Sequence, residues 1–397
     1  MGNICFKPTP VVKVQSIQKL QEGGGSQPLK PALKTDNVQK TVDYQYYLSE
    51  KEKQSRTRDI DNYLKNEKIE MDLASKEPKI LILGTSDSGK STFLKQLKIL
   101  HGAGFTSEEI QKSKLNILYN LTAISQKVIS ESKSEDLNAI FASLVQFRPS
   151  LIYQLKYLDE HVANNLIAFW ADEAMKAKFY ELGSIFPVSS TYFFDKFEEI
   201  NRPDYQVTHQ DILLLRSVTQ NISDNRFEIK TVSGTGFLHF IDVSGLKYHR
   251  KRWIPYFDDC LAIVYVIDIS SFDITMAEEV ETNRLRDSIK LFESIVRNPL
   301  LANCELIVFF NKRDLFQLKI KKVSLKLHFP EYDGQDFDTE AGFTFLKNLY
   351  KQKQIETDKR KINYHTTCCT DTSAMSKIIL DVSNSIITKT LSKSGYY

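Results

Sequence analysis

The chain has 397 residues, 42% hydrophobic and 26% charged, with 53 basic against 50 acidic side chains and a formal charge of +3. It is longer than the roughly 50–250 residues of one compact domain, too evenly charged to suggest a nucleic-acid partner, and ordinary in composition for a globular protein. Its longest apolar runs, such as LAIVYVI from Leu261, fall short of the roughly 20 residues that cross a bilayer, and the amino terminus lacks an apolar signal core, so any membrane contact is expected to be peripheral.

In chain order, residues 1–45 contain GGGSQPLKP and few periodic apolar positions, which predicts a flexible extension. Residues 46–75 are charge-rich, with a thin apolar stripe. They predict a helix that is either simply solvated or a docking arm for a partner or membrane. Short apolar runs then recur: KILILG at Lys79, GFLHFIDV at Gly236, LAIVYVID at Leu261, ELIVFFNK at Glu305 and INYHTTC at Ile362. Strands alternating with helical stretches predict an α/β fold with a doubly wound, mostly parallel sheet. Residues 105–206 are poor in Gly and Pro and rich in helix formers, which predicts an all-helical insertion between residues 76–104 and 207–397 of the sheet domain. Five cysteines, Cys5, Cys260, Cys304, Cys368 and Cys369, match neither a disulfide framework nor a zinc site and point to a reducing compartment.

Between the first strand and its helix stands GTSDSGKST: Gly84, Thr85, Ser86, Asp87, Ser88, Gly89, Lys90, Ser91 and Thr92. The pattern is that of a phosphate loop, whose backbone N–H groups and helix amino terminus face phosphate oxygens. Lys90 would reach the β- and γ-phosphates and the Ser91 hydroxyl would ligate magnesium. Kinase, ATPase and GTPase all remain open at this point. The stretch FFNKRD chooses among them, because Asn311, Lys312 and Asp314 end a buried strand at the carboxyl edge, where ligands bind. A carboxylate there accepts from guanine N1–H and N2–H, a pairing adenine cannot offer. Asn311 would buttress the loop and the Lys312 stem would lie along the ring. At HTTCCTDT, the backbone N–H of Cys369 would reach guanine O6; the vicinal Cys368 and Cys369 also admit a redox or metal reading.

From about Tyr46 to Tyr397 the chain resembles the α subunit of heterotrimeric G proteins. The resemblance implies a Ras-like P-loop GTPase domain interrupted by a helical domain, with GTP or GDP and Mg2+ in the cleft between them. DILLLRSVT then looks like the first switch: Leu213, Leu214, Leu215, Arg216, Ser217, Val218 and Thr219 would border the nucleotide. Arg216 would stabilise charge on the transferring phosphoryl group and Thr219 would supply a second hydroxyl to magnesium. DVSGL looks like the second switch, with Asp242 holding magnesium through water and the Gly245 N–H on the γ-phosphate. At Leu246 the family has a glutamine that orients the attacking water.

Leucine has neither donor nor acceptor, so binding is expected to survive and hydrolysis to be slow. Ser86, Asp87, Ser244 and Asn221 depart from the family as well, and each side chain added near the γ-phosphate crowds a tight site. His249 or Tyr248 is the alternative water-positioning group. A non-cycling scaffold that sequesters βγ or effectors is the alternative function. The resemblance implies a βγ dimer, a seven-helix membrane receptor, an effector and regulators of G-protein signalling as partners, at the cytoplasmic face of the plasma membrane. HRKRW, from His249, would lie on a second-switch helix that meets βγ or effector. MGNICFKP offers Gly2 for myristate and Cys5 for palmitate, although Phe6 stands where Ser or Thr is usual.

Overall fold

The computed structural model describes residues 77–393, except 184–185, 217–221, 233, 277–278, 280, 356–359 and 361, together with 55, 57 and 58. The chain divides into two compact units, Met1–Ala74 and Ser75–Tyr397. In the first unit, residues 55, 57 and 58 are helical and exposed. The extension expected over 1–45, most of the helix expected over 46–75, and the lipid acceptors Gly2 and Cys5 lie outside the described residues.

In the second unit, six described strands form one sheet: β1 (Lys79–Leu83), β2 (Ser223–Thr231), β3 (Gly234–Asp242), β4 (Cys260–Asp268), β5 (Glu305–Asn311) and β6 (Ile362–Thr366). Their order is β2-β3-β1-β4-β5-β6, and every neighbouring pair is parallel except β2 with β3. The mostly parallel, doubly wound sheet is therefore found, with one addition: the sequence reading yields five strands and misses β2. That strand, SDNRFEIKT, buries only Phe227 and Ile229. It is an antiparallel edge strand, and it lacks the continuous apolar run that marks strands covered on both faces.

The helices that bear on the site are α1 (Lys90–His101), α2 (Ser107–Ser132), α3 (His209–Leu214), α4 (Arg284–Val296), α5 (Arg313–Lys319), α6 (Thr339–Ile355) and α7 (Thr372–Lys393). Leu81, Leu83, Tyr265 and Phe310 share one core with Phe292 of α4 and Tyr350 of α6. Ile80, Ile82, Val264 and Phe309 share another with Phe93 and Leu97 of α1 and Met375 and Ile379 of α7. The period-two alternation of strand side chains thus divides each central strand between two cores, and each fully buried Leu or Phe contributes roughly 1.5–3 kcal/mol.

No described strand lies between β1 and β2. The helices in that interval enclose a core of their own, including Leu118, Leu121, Phe169, Phe194 and Ile200. α2 opens on a capping box: the Glu109 N–H donates to Thr106 Oγ1 at 3.2 Å and the Thr106 N–H donates to Glu109 Oε2 at 2.8 Å. Lys98 of α1 also pairs with Glu109, which ties the first insert helix to the phosphate-loop helix. A second capping box, Thr208 with Asp211, opens α3 and returns the chain to the sheet. Because β1 is flanked by β3 on one side and β4 on the other, the winding reverses there, and the carboxyl ends of the strands open a crevice at that edge.

Candidate functional site

The phosphate loop leaves β1 at Leu83 and enters α1 at Lys90. Gly84, Asp87 and Gly89 have φ of 145°, 59° and 107°, the left-handed turns from which successive N–H groups build an anion-binding hollow. A Cβ on Gly89 would stand 2.2 Å from Asn311 Nδ2, so only glycine lets the loop meet that amide. Asn311 Nδ2 donates to Ser88 O at 2.8 Å, while its Oδ1 accepts from the Cys369 N–H at 3.0 Å and from Thr367 Oγ1 at 3.1 Å. One buried amide thus joins the phosphate loop, the end of β5 and the loop after β6. The Cys369 N–H that the sequence assigns to guanine O6 is engaged here by Asn311. Burial pushes the Cys369 thiol up to about 12 and raises that of Cys368, and among the described residues no group of three or more His, Cys, Asp or Glu is placed to hold a metal ion.

Lys90 is buried and donates to Thr85 O at 2.8 Å and Gly84 O at 3.2 Å. Burial brings its ammonium down to about 8, against the opposing pull of Asp242 and Asp87. Ser91 Oγ donates to Asp242 Oδ2 at 2.9 Å. A hydroxyl and a carboxylate in contact at the mouth of a phosphate loop are the hard oxygen donors magnesium prefers, so the residues present fit that ion. Thr85 and Ser88 are buried; Ser86, Asp87 and Thr92 are half-buried. Gly245 closes on the loop from the end of β3: a Cβ there would fall 2.5 Å from Lys90 Nζ and 2.6 Å from Ser86 N.

Arg216 grips Asp87 in two bonds, Nε to Oδ1 at 2.9 Å and Nη2 to Oδ2 at 2.6 Å, with Arg284 3.7 Å from the same carboxylate. Lys312 has a left-handed φ of 62° and extends to Asp268, Nζ to Oδ2 at 2.7 Å. Asp314 is exposed on the first turn of α5. Of the three leucines before Arg216, Leu214 and Leu215 pack into the insert's core and Leu213 is buried. The carbonyls of Leu214 and Leu215 accept from Ser189 Oγ and Lys95 Nζ. Ser217, Val218, Thr219 and Asn221 lie outside the described residues.

A glycine-bearing loop on a helix amino terminus, stapled to the asparagine of an N-K-x-D strand end, has counterparts among known proteins. A family profile described as "G-protein alpha subunit" matches residues 54–386. The chain belongs to the G-protein alpha-subunit family. One relative is the guanine nucleotide-binding protein alpha-17 subunit of Caenorhabditis elegans, 32% identical over 351 residues, or 86% of this chain and 96% of the relative. The alpha-3 subunit of the same species is 35% identical over 326 residues, 80% of this chain and 90% of the relative. The G(o) subunit alpha of Locusta migratoria is 32% identical over 359 residues, 86% of this chain and 96% of the relative. Members of this family bind guanine nucleotides and are GTPases.

The segment that the resemblance assigns to the second switch differs from its sequence expectation. Residues Lys247–Tyr256 form 3-10 turns rather than an α-helix, with bonds such as His249 N–H to Leu246 O at 3.0 Å. Pro255 within the segment has no N–H and obstructs an α-helical ladder. Part of HRKRW packs inward: Trp253 is buried and donates through Nε1 to Ser244 O at 3.1 Å, and Arg250 is bonded through both terminal nitrogens to Asp287 of α4. Ser244, where the family has glycine, turns its hydroxyl to His249 Nδ1 at 3.0 Å. Tyr248 is 65% exposed, its ring edge-on to His249, and Leu246 is half-buried between Gly245 and the turns.

Two contributors are silent in the sequence. Asp268 ends β4 like any strand-end acid. Lys95 has the look of a surface lysine on α1, yet its ammonium donates to Ile212 O at 2.9 Å and Leu215 O at 2.8 Å, fixing the chain just before Arg216. Burial lowers Lys95 from the ordinary 10.5 to about 8. Below pH 8 the native chain carries a buried charge that opposes folding. Between pH 8 and 10.5 the unfolded chain holds a proton the native chain has shed, so the unfolding free energy rises with pH. Denaturant titrations at pH 7.5 and 10.5 should show the wild type gaining on the order of 3 kcal/mol relative to Lys95→Met. The neutral amine keeps two donors for its two carbonyls.

Proposed function

We propose that the chain is a guanine-nucleotide switch that binds GTP and GDP with magnesium, relays a receptor signal to an effector, and turns GTP over slowly. The observation that carries the slow step is Leu246, a hydrocarbon side chain directly beside Gly245, whose backbone lies against Lys90 and the phosphate loop.

In this reading the loop amides and Lys90 grip the β- and γ-phosphates, and Asp314 accepts from the guanine edge. Lys312 lies along the ring. Ser91 and, through water, Asp242 would hold magnesium together with Thr219; the bound ion would neutralise charge on the phosphate oxygens. Arg216 leaves Asp87 to meet charge developing on the transferring phosphoryl group. Hydrolysis also needs a group that aligns water, and a leucine cannot do so.

A βγ dimer, a membrane receptor and an effector are the partners this reading carries, at the cytoplasmic face of the plasma membrane. Myristate on Gly2 with palmitate on Cys5 would supply the two lipids that firm attachment takes. Among the described residues no helix is long and apolar enough to cross a membrane.

Nucleotide extracted from the purified chain, followed by binding of labelled GTP and ATP, tests the proposal. GTP retained in preference to GDP, with GTP bound and ATP refused, is the expected result. A chain that purifies with GDP and clears added GTP at the pace of its relatives overturns the slow step, and equal uptake of ATP overturns the guanine site.

A further inference from the structure

We propose that Asp268 is a positioning residue for the guanine base, holding the Lys312 side chain as a fixed floor beneath the purine. This rests on the reading that Asn311, Lys312 and Asp314 receive the base.

Asp268 is the last residue of β4 and pairs in register with Asn311, the last residue of β5. It therefore stands at the sheet edge where the crevice opens. Only 2% of it is exposed, yet no metal ligand set or catalytic step calls for an acid there. Its acceptor capacity is committed in an orderly way. Oδ1 accepts from the Ser270 N–H at 3.0 Å and Ser270 Oγ at 2.6 Å, and its carbonyl accepts from Ser271 Oγ at 2.7 Å. These bonds set the carboxylate's rotamer and leave Oδ2 for one partner, the Lys312 ammonium at 2.7 Å.

Lys312 also needs an anchor. Its backbone is left-handed, a conformation that a residue with a Cβ adopts at some expense, and a lysine side chain otherwise samples many rotamers. With Nζ pinned at the end of β4 and Cα just beyond β5, the four methylenes span the two strand ends. That gives the purine a flat apolar strip, with positive charge at its far end to attract the ring face. Neither feature reads the edge of the base, so the floor should serve every purine that Asp314 admits.

Asp268→Asn keeps an acceptor for Ser270 but sets an amide N–H2 against the ammonium, donor against donor, so Lys312 is released. Fluorescently labelled GDP and IDP should then leave about tenfold faster than from the wild type, both by the same factor, a change equivalent to about 1.4 kcal/mol. The preference for GDP over XDP, set by Asp314, should not move. Asp268→Glu, which retains the charge, should recover most of the lost residence time.

Should the asparagine variant fail to fold, Ser270→Ala takes its place. It removes the Ser270 Oγ bond to the carboxylate and keeps the backbone N–H bond, and release about threefold faster is expected, the worth of one ordinary hydrogen bond. Release rates within twofold of the wild type in the folded variant overturn the proposal, as does a change in the GDP-to-XDP ratio, which would make Asp268 an edge reader. A wild-type chain that takes up no GDP instead overturns the base-site reading beneath it.

Discussion

Leu246→Gln is expected to raise the single-turnover rate of GTP hydrolysis by about two to three powers of ten, the span associated with one preorganised polar group in such a site. The variant restores an amide that accepts from the attacking water and donates toward the γ-phosphate, where leucine offers only volume. Leu246 is half-buried and starts the 3-10 segment with extended backbone, and leucine and glutamine are close in size, so the exchange should leave fold and nucleotide affinity nearly unchanged. Rapid-quench measurement on chain preloaded with labelled GTP reads the effect directly. An unchanged rate would transfer the water-orienting role to another group, with His249 the first to examine, since its ring is already held by Ser244. Any gain also has to draw Arg216 off Asp87. A bidentate guanidinium–carboxylate contact is among the stronger polar pairs, although this one is partly exposed and so of modest strength.

The parts of this site legible in the sequence are those whose chemistry is local. Gly84 through Ser91 announce a phosphate loop because the turn, the lysine and the hydroxyl must fall at fixed spacing between a strand and a helix. Asn311, Lys312 and Asp314 are legible for the same reason. The role of Arg216 is not local: its partner Asp87 lies 129 positions away, and resemblance alone singled it out. Lys95 and Asp268 were missed because their meaning depends on carbonyls and an ammonium that only the fold brings near. β2 was missed for a different reason: its outward residues are charged and only Phe227 and Ile229 face the core, too few for an apolar run. The helix at the second switch rests on the resemblance alone, and a resemblance carries no information on whether the turns at Lys247–Tyr256 close as α or 3-10.

Asp314→Asn is expected to lower affinity for GDP by about 10²- to 10⁴-fold. The carboxylate can accept from guanine N1–H and N2–H at once, and each hydrogen bond to a charged group is worth about 1.5–3 kcal/mol. Asparagine keeps one acceptor for N1–H and turns its amide N–H2 toward the N2 amino group, so the second bond is lost and donor faces donor in its place. Xanthine carries a carbonyl at that position and would accept from the same amide, so XDP should gain where GDP loses. Competition between the two diphosphates for labelled nucleotide measures the crossover, and a variant that still prefers GDP by the wild-type margin would place base recognition elsewhere than Asp314. The side chain is exposed on the first turn of α5, so the substitution should leave the fold intact. The phosphate grip proposed for Lys90 would be untouched as well, and inorganic pyrophosphate, which has no base, should compete equally well against labelled nucleotide diluted to each chain's own half-saturation.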